Sequence, residues 1–136
     1  MRPILVDSSV WIDWFANRQN WATEELDRRL GREALAIADL ILMELLQGVA
    51  SQRELRLLEA TLGRLPCPTL GGADHARSAA ANYRLLRAAG ITPRSPIDVL
   101  IATFCIEEDM ALLANDRDFT LMARHLDLNL IQPSLN

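Results

Sequence analysis

The sequence predicts an α/β domain: a short, mostly parallel central sheet flanked by helices. Three observations lead there. Short apolar runs, Ile4-Leu5-Val6 and Ala111 to Ala114, are too brief for helices and have the composition of buried strands. Helix-start signals fall between them, at Ser51-Gln52-Arg53-Glu54 and Ser95-Pro96. Short strands alternating with helices favour parallel pairing.

Element by element, the first strand stops at Asp7. From Ser8 to Phe15 the pattern turns helical, with Trp11, Trp14 and Phe15 on one face. A second helix is expected over Thr23 to Leu30, and a strand over Ala34 to Ala38. Asp39 is expected to N-cap a helix from Leu40 to Gln47, with Gly48 as its stop. The Ser51 capping box opens a helix running to about Arg64. Leu65 to Gly72 reads as loop or a short edge piece, and Ala73 to Ala89 as a helix ended by Gly90. Ser95-Pro96 opens a helix to about Glu107. The strand over Ala111 to Ala114, a helix over Phe119 to His125 and a last strand over Leu128 to Ile131 complete the order.

A chain of 136 residues fits a single domain, taken as 1–136, with half its residues apolar. No apolar run approaches the ~20 residues that span a bilayer. Met1-Arg2-Pro3 leads into the first strand without a signal-peptide pattern, so the expected location is the cytoplasm, away from any membrane. Cys67 and Cys105 lack a second Cys or a His at ligand spacing, which argues against zinc. His75 and His125 are isolated.

All 14 basic residues are arginine. Without lysine, a P-loop, a Schiff-base enzyme and a phospho-receiver domain are excluded. A haloacid-dehalogenase-type phosphatase also wants a second Asp two residues after the first, where this chain has Ser9. The net charge of −4 is low for a nucleic-acid binder. It becomes zero once four candidate site carboxylates are set aside, leaving an Arg-rich surface suited to phosphates.

Those four are Asp7, Glu44, Asp98 and Asp116. In α/β sheets ligands bind beyond the carboxyl ends of strands, where Asp7 and Asp116 would lie. Glu44 stands in Leu40-Ile41-Leu42-Met43-Glu44-Leu45-Leu46, a helix apolar nearly all round and so expected to be buried. A buried carboxylate must be paired, metal-bound or neutralised. A salt bridge to an arginine, or an exposed helix face, would serve equally. Asp98 could be only the N3 acid of its helix, Asp116 only an N-cap and Asp7 only a cap for the Ser8 helix. If the four converge, an all-oxygen set suits Mg²⁺ or Mn²⁺ and metal-assisted phosphodiester hydrolysis.

Four segments carry a family resemblance. Val6-Asp7-Ser8-Ser9-Val10-Trp11-Ile12-Asp13 resembles the opening motif of PIN domains, and Leu42-Met43-Glu44-Leu45-Leu46-Gln47-Gly48 the second. Pro96-Ile97-Asp98-Val99-Leu100-Ile101-Ala102 resembles the third, and Ala114-Asn115-Asp116-Arg117-Asp118-Phe119 the fourth. Their order and spacing are similar to those of VapC toxins of toxin–antitoxin pairs. The resemblance implies a three-layer PIN-like domain and a Mg²⁺- or Mn²⁺-dependent endoribonuclease acting on an RNA substrate. It also implies a homodimer, silenced by a VapB-like antitoxin. Asp7, Asp98 and Asp116 would hold the metal, and Glu44 would complete the cluster or help activate water. Ser8 and Asn115 would hydrogen-bond nearby, and Asp118 could share or replace the role of Asp116. The competing reading is a non-catalytic PIN-like module that binds RNA or protein.

Two further features bear on partners. Trp11, Trp14, Phe15 and Trp21 could form core, a protein-binding surface or a platform for bases. Arg28, Arg29 and Arg32, with Arg84 and Arg87, are candidate phosphate-tracking patches, so that Arg28→Ala with Arg29→Ala should weaken RNA cutting.

Overall fold

The computed structural model describes residues 2–133; Met1 and residues 134–136, the two ends of the expected domain span, lie outside them. The elements are β1 (Ile4–Val6), α1 (Ser8–Phe15), α2 (Trp21–Arg29), β2 (Leu35–Ala36), α3 (Asp39–Gln47), α4 (Gln52–Leu62), α5 (Gly72–Ala88), α6 (Pro96–Glu107), β3 (Leu112–Leu113) and α7 (Arg117–Ala123). The sheet runs β2-β1-β3 and both pairings are parallel, Leu5 facing Ala36 on one side and Leu112 on the other. Every strand residue is buried. Burial on both faces is what an all-parallel sheet under helical layers demands.

β1 is the central strand, and the connection order reverses across it: β2 lies on one side and β3 on the other. Such a switch opens a crevice at the carboxyl ends of the strands. Asp7 N–H donates to the Leu113 carbonyl at 2.9 Å, pinning the residue after β1 beside the end of β3.

Several boundaries differ from expectation for local reasons. Helix α2 begins at Trp21, because Asn20 and Thr23 form a reciprocal capping box. Asp39 is not the cap of α3: Ala38 takes that position, and Asp39 Oδ1 accepts from Leu70 N–H at 3.0 Å. That bond, with Ile37 N–H to Pro66 carbonyl and Asp39 N–H to Pro68 carbonyl, lays residues 66–70 along the end of β2. A sheet edge is thereby covered. Ser51 caps α4 through Glu54 N–H, but the Glu54 carboxylate reaches back to Ala50 N–H, one residue beyond the expected box. Helix α7 starts at Arg117, and the last expected strand reduces to a single bridge, Leu112 with Leu130.

Gly90 ends α5 as expected. It adopts φ +84, and Ile91 N–H bonds to the Leu86 carbonyl at 2.9 Å while Gly90 N–H bonds to that of Arg87. This is the Schellman arrangement, which needs a left-handed residue.

The aromatic stripe on α1 is largely core. Trp11 is fully buried, with its ring 5.9 Å from those of both Trp14 and Phe15. The Arg28–Arg29 patch is also not a free phosphate track. Both guanidiniums pair with Glu25, whose side chain is only 5% exposed, and Arg29 additionally pairs with Glu33. Removing these arginines would take two cationic partners from a buried carboxylate, so their double substitution reads folding before RNA binding. Arg29→Ala alone is expected to cost about 1–3 kcal/mol, discounted because Arg29 is partly exposed and Arg28 remains. Urea titration checks it; an unchanged midpoint would show that the fold does not depend on the Arg29–Glu25 pair.

Candidate active site

Asp7, Glu44, Asp98 and Asp116 line one cavity of about 380 Å³ at the carboxyl ends of the strands, with Ser8, Ser9, Ile12, Leu40, Met43, Ser95 and Ile97. No basic side chain is among these lining residues. A larger hollow of about 470 Å³ beside Tyr83 and Arg87 has no carboxylate in its walls.

Two of the acids cap helices and also line the cleft, so capping does not exclude a place in a site. Asp7 N-caps α1, accepting from Ser9 N–H at 3.2 Å and from Ser9 Oγ at 2.7 Å. Asp116 caps α7 through Asp118 N–H at 2.9 Å. Asp98 behaves otherwise. Ser95 Oγ caps α6 through Ile97 N–H, and among the described residues the Asp98 carboxylate takes part in no hydrogen bond or ion pair. An acid with no cap bond to make, aimed among other acids, is poorly explained by helix stability alone.

Helix α3 departs from the expected burial. Only Ile41 and Leu45 are buried, and Met43 is 54% exposed on the cleft. Glu44 is therefore half-buried, and its hydrogen-bond partner is Ser8 Oγ at 3.2 Å, not an arginine. Apolar residues all round a helix normally mean burial; here one face is left at the cleft rim, where Ile12 is 50% exposed as well.

Electrostatics reflect this crowding. Burial raises the Asp7 pKa above the ordinary carboxylate range; hydrogen bonds from Ser9 and Ser8 oppose this, and the charge of Asp116 adds to it. Glu44 is raised by burial, against the Ser8 bond, with the charge of Asp7 adding. Asp98 is pushed up to about 7, first by burial and then by the charges of Asp7, Asp116, Glu44 and Asp118. Like charges that oppose each other's ionisation have a counter-cation as their natural partner.

The donor set fits a hard cation: oxygen ligands only, with Asp98 uncommitted. Among the described residues no three acid, His or Cys side chains are gathered tightly enough to enclose an ion by themselves. Mg²⁺ does not need such a cage, since it keeps several waters and adds substrate phosphates to one or two carboxylates. The cleft lining and the mutual repulsion at Asp98 weigh more than the lack of a closed cage.

Of the auxiliary residues, Ser8 bonds to Glu44, whereas Asn115 faces elsewhere: its Oδ1 accepts from Trp21 Nε1 at 3.2 Å. Asp118 accepts from both the backbone N–H and Nε of Arg94. Sequence reasoning missed two residues. Ser9 Oγ ties Asp7 to Asn115 N–H, joining the first and fourth motifs. Arg94 reaches Asp116 Oδ1 at 3.2 Å through Nη2. Ser9 was legible as the hydroxyl i+2 from a capping Asp; nothing local marked Arg94.

Comparison with known proteins agrees with this geometry. The PIN domain family model matches residues 4–125. VapC ribonuclease Mb1587 of Mycobacterium bovis is 35% identical over 127 residues, covering 92% of this chain and 95% of that protein. Ribonuclease VapC11 of Mycobacterium tuberculosis matches to the same extent. Among solved structures, VapBC2 from Rickettsia felis bound to a promoter DNA fragment superposes with TM-score 0.76 at 20% identity, over 96% of this chain and 98% of that one. DNA-bound VapBC from Salmonella typhimurium gives TM-score 0.76 at 23% identity, over the same shares. At those identities the structures establish the fold. With the family model and the sequence relatives, they show that this chain belongs to the PIN-domain family, among its VapC ribonucleases.

Proposed function

We propose that this protein is the toxin of a VapBC-type pair, an endoribonuclease that uses Mg²⁺ or Mn²⁺ at a site made of Asp7, Glu44, Asp98 and Asp116. The observation that carries the reading is the convergence of these four acids on one cleft, where the Asp98 carboxylate has no hydrogen bond or ion pair among the described residues and its pKa is raised first by burial and then by the charges of its neighbours.

Asp7, Asp98 and Asp116 would hold the ion. When bound, it would supply a more acidic water and a counter-charge for the phosphoryl oxygens. Ser9 orients Asp7 by two hydrogen bonds, and Ser8 orients Glu44. Glu44 is placed to accept a proton at its carboxylate, since burial raises its basicity while Ser8 engages only Oε2. Asp98, raised chiefly by burial, would be held as the carboxylate by a bound cation.

Relatives named ribonucleases and neighbours solved as VapBC complexes support an RNA substrate and an antitoxin partner. The exposed Ile12 and Met43 at the cleft rim suit a protein that covers the site. The homodimer and cytoplasmic location belong to the same proposal; among the described residues no helix is long and apolar enough to cross a membrane.

The test is cleavage of total cellular RNA by purified protein with Mg²⁺ or Mn²⁺, beside EDTA. Discrete fragments that vanish in EDTA are expected. A folded, antitoxin-free protein that binds RNA or a partner without cutting would establish the non-catalytic module instead.

A further inference from the structure

We propose that Arg94 is a substrate-positioning residue, receiving an RNA phosphate at the rim of the acidic cleft while Asp116 and Asp118 hold its guanidinium in place. The inference rests on the nuclease reading of the site and adds a contact that the four acids cannot make.

Arg94 lies in the loop before α6, next to Ser95 of the cleft wall. Its backbone N–H donates to Asp118 Oδ2 at 3.1 Å, its Nε to the same oxygen at 3.3 Å, and its Nη2 to Asp116 Oδ1 at 3.2 Å. Both ends of the residue are thereby anchored to the fourth motif. Among the described residues, the ion pairs of Arg94 are those that involve Asp116 and Asp118; other arginines pair elsewhere, Arg18 with Asp13 and Arg77 with Asp74.

The side chain is nevertheless 77% exposed. A guanidinium has five N–H donors. Nε and one N–H of Nη2 are used on the acids, along one side of the plane. The end formed by Nη1 and the other N–H of Nη2 stays open to solvent, in the geometry that takes a phosphate through two parallel bonds. No anchoring bond need break for this to happen. An RNA strand approaching four carboxylates meets repulsion, and a fixed positive group at the mouth offsets it where the backbone must enter.

The experiment compares full-length wild type with Arg94→Ala, Arg94→Lys and Arg77→Ala, an equally exposed arginine outside the cleft lining. Three quantities are read: kcat and KM for RNA cleavage in Mg²⁺, anisotropy of a labelled mixed-sequence single-stranded RNA across a salt series, and calorimetric Mn²⁺ affinity without RNA. Arg94→Ala should raise KM about tenfold. It should also flatten the log–log salt slope of binding by about 0.7, the share of one phosphate contact. Arg94→Lys should restore the slope but only part of the KM, and Arg77→Ala should change neither. Mn²⁺ affinity should not weaken in Arg94→Ala, because a positive neighbour has been removed.

An unchanged KM and slope would reduce Arg94 to a surface ion pair and overturn the proposal. So would a fall in kcat and Mn²⁺ affinity at constant slope, which would mean that Arg94 only aligns Asp116. Wild type that binds RNA but never cuts would defeat the nuclease reading, while the slope would still decide Arg94. Wild type that binds no RNA would defeat both.

Discussion

Asp7→Asn is expected to lower RNA cleavage about 10³-fold or more while making the metal-free protein more stable. On the proposed function, the activity loss follows because Asp7 would be a charged ligand of an ion that would supply several kcal/mol of transition-state stabilisation. The gain in stability follows from the side chain's surroundings. Asp7 is 4% exposed, its pKa is raised chiefly by burial, and Asp116 adds repulsion. Asparagine carries no charge to bury, yet it keeps the oxygen that caps α1 and ranks with aspartate as a cap. A gain of about 1 kcal/mol in EDTA is the expected size, typical when a functional site is relieved of its strain. Urea titration beside a cleavage assay reads both. Full activity would remove Asp7 from the metal site, and a loss of stability would show that its charge serves the fold.

The metal-free protein should also lose stability as pH rises from about 4 through about 7. The Asp98 carboxyl titrates near 4 when unfolded and at about 7 when folded. Between those values the folded state binds more protons than the unfolded one, so stability falls with rising pH across that window. Asp7 and Glu44 are shifted in the same direction and add to the effect. Allowing for screening in an open cleft, the loss should be about 1–2 kcal/mol. Saturating Mg²⁺ or Mn²⁺ should cancel it, because the cation replaces the proton as partner for Asp98. Asp98→Asn should flatten the profile with no metal present. Thermal melts at several pH values in EDTA check this; a profile that rises toward pH 8, or one indifferent to Asp98→Asn, would contradict the crowding at the site.

Sequence and structure agree at several strong local signals. Ile4-Leu5-Val6 ending at Asp7, Ser95-Pro96 opening α6, and Gly90 closing α5 depend on neighbours within a few residues, and all three formed as expected. The disagreements that bear on function turn on what the tertiary structure buries or leaves open. Whether Met43 is covered depends on what stands opposite α3, which periodicity does not encode, so an apolar helix came to line an open cleft. Asp39 has an ideal composition for a cap but is drawn to Leu70, 31 positions away. Arg28 and Arg29 looked like a solvent-facing patch because nothing in their spacing shows that Glu25 is buried. The convergence of the acids could be read because strand ends converge by topology. Arg94 could not, since a loop residue's reach is set by tertiary structure.

The parallel sheet has a bearing on synthesis. β1 pairs with β2, which follows it closely in the chain, but its other neighbour is β3, so Leu5 waits for Leu112. Pairing at such separation costs much loop-closure entropy and is slow. A growing chain that has not reached β3 has one open edge on its central strand, and it lacks Asp116 altogether. The four-acid cleft is therefore never complete on a chain that stops short of β3. The order of the strands delays the four-acid cleft until β3 and the segment carrying Asp116 have been made.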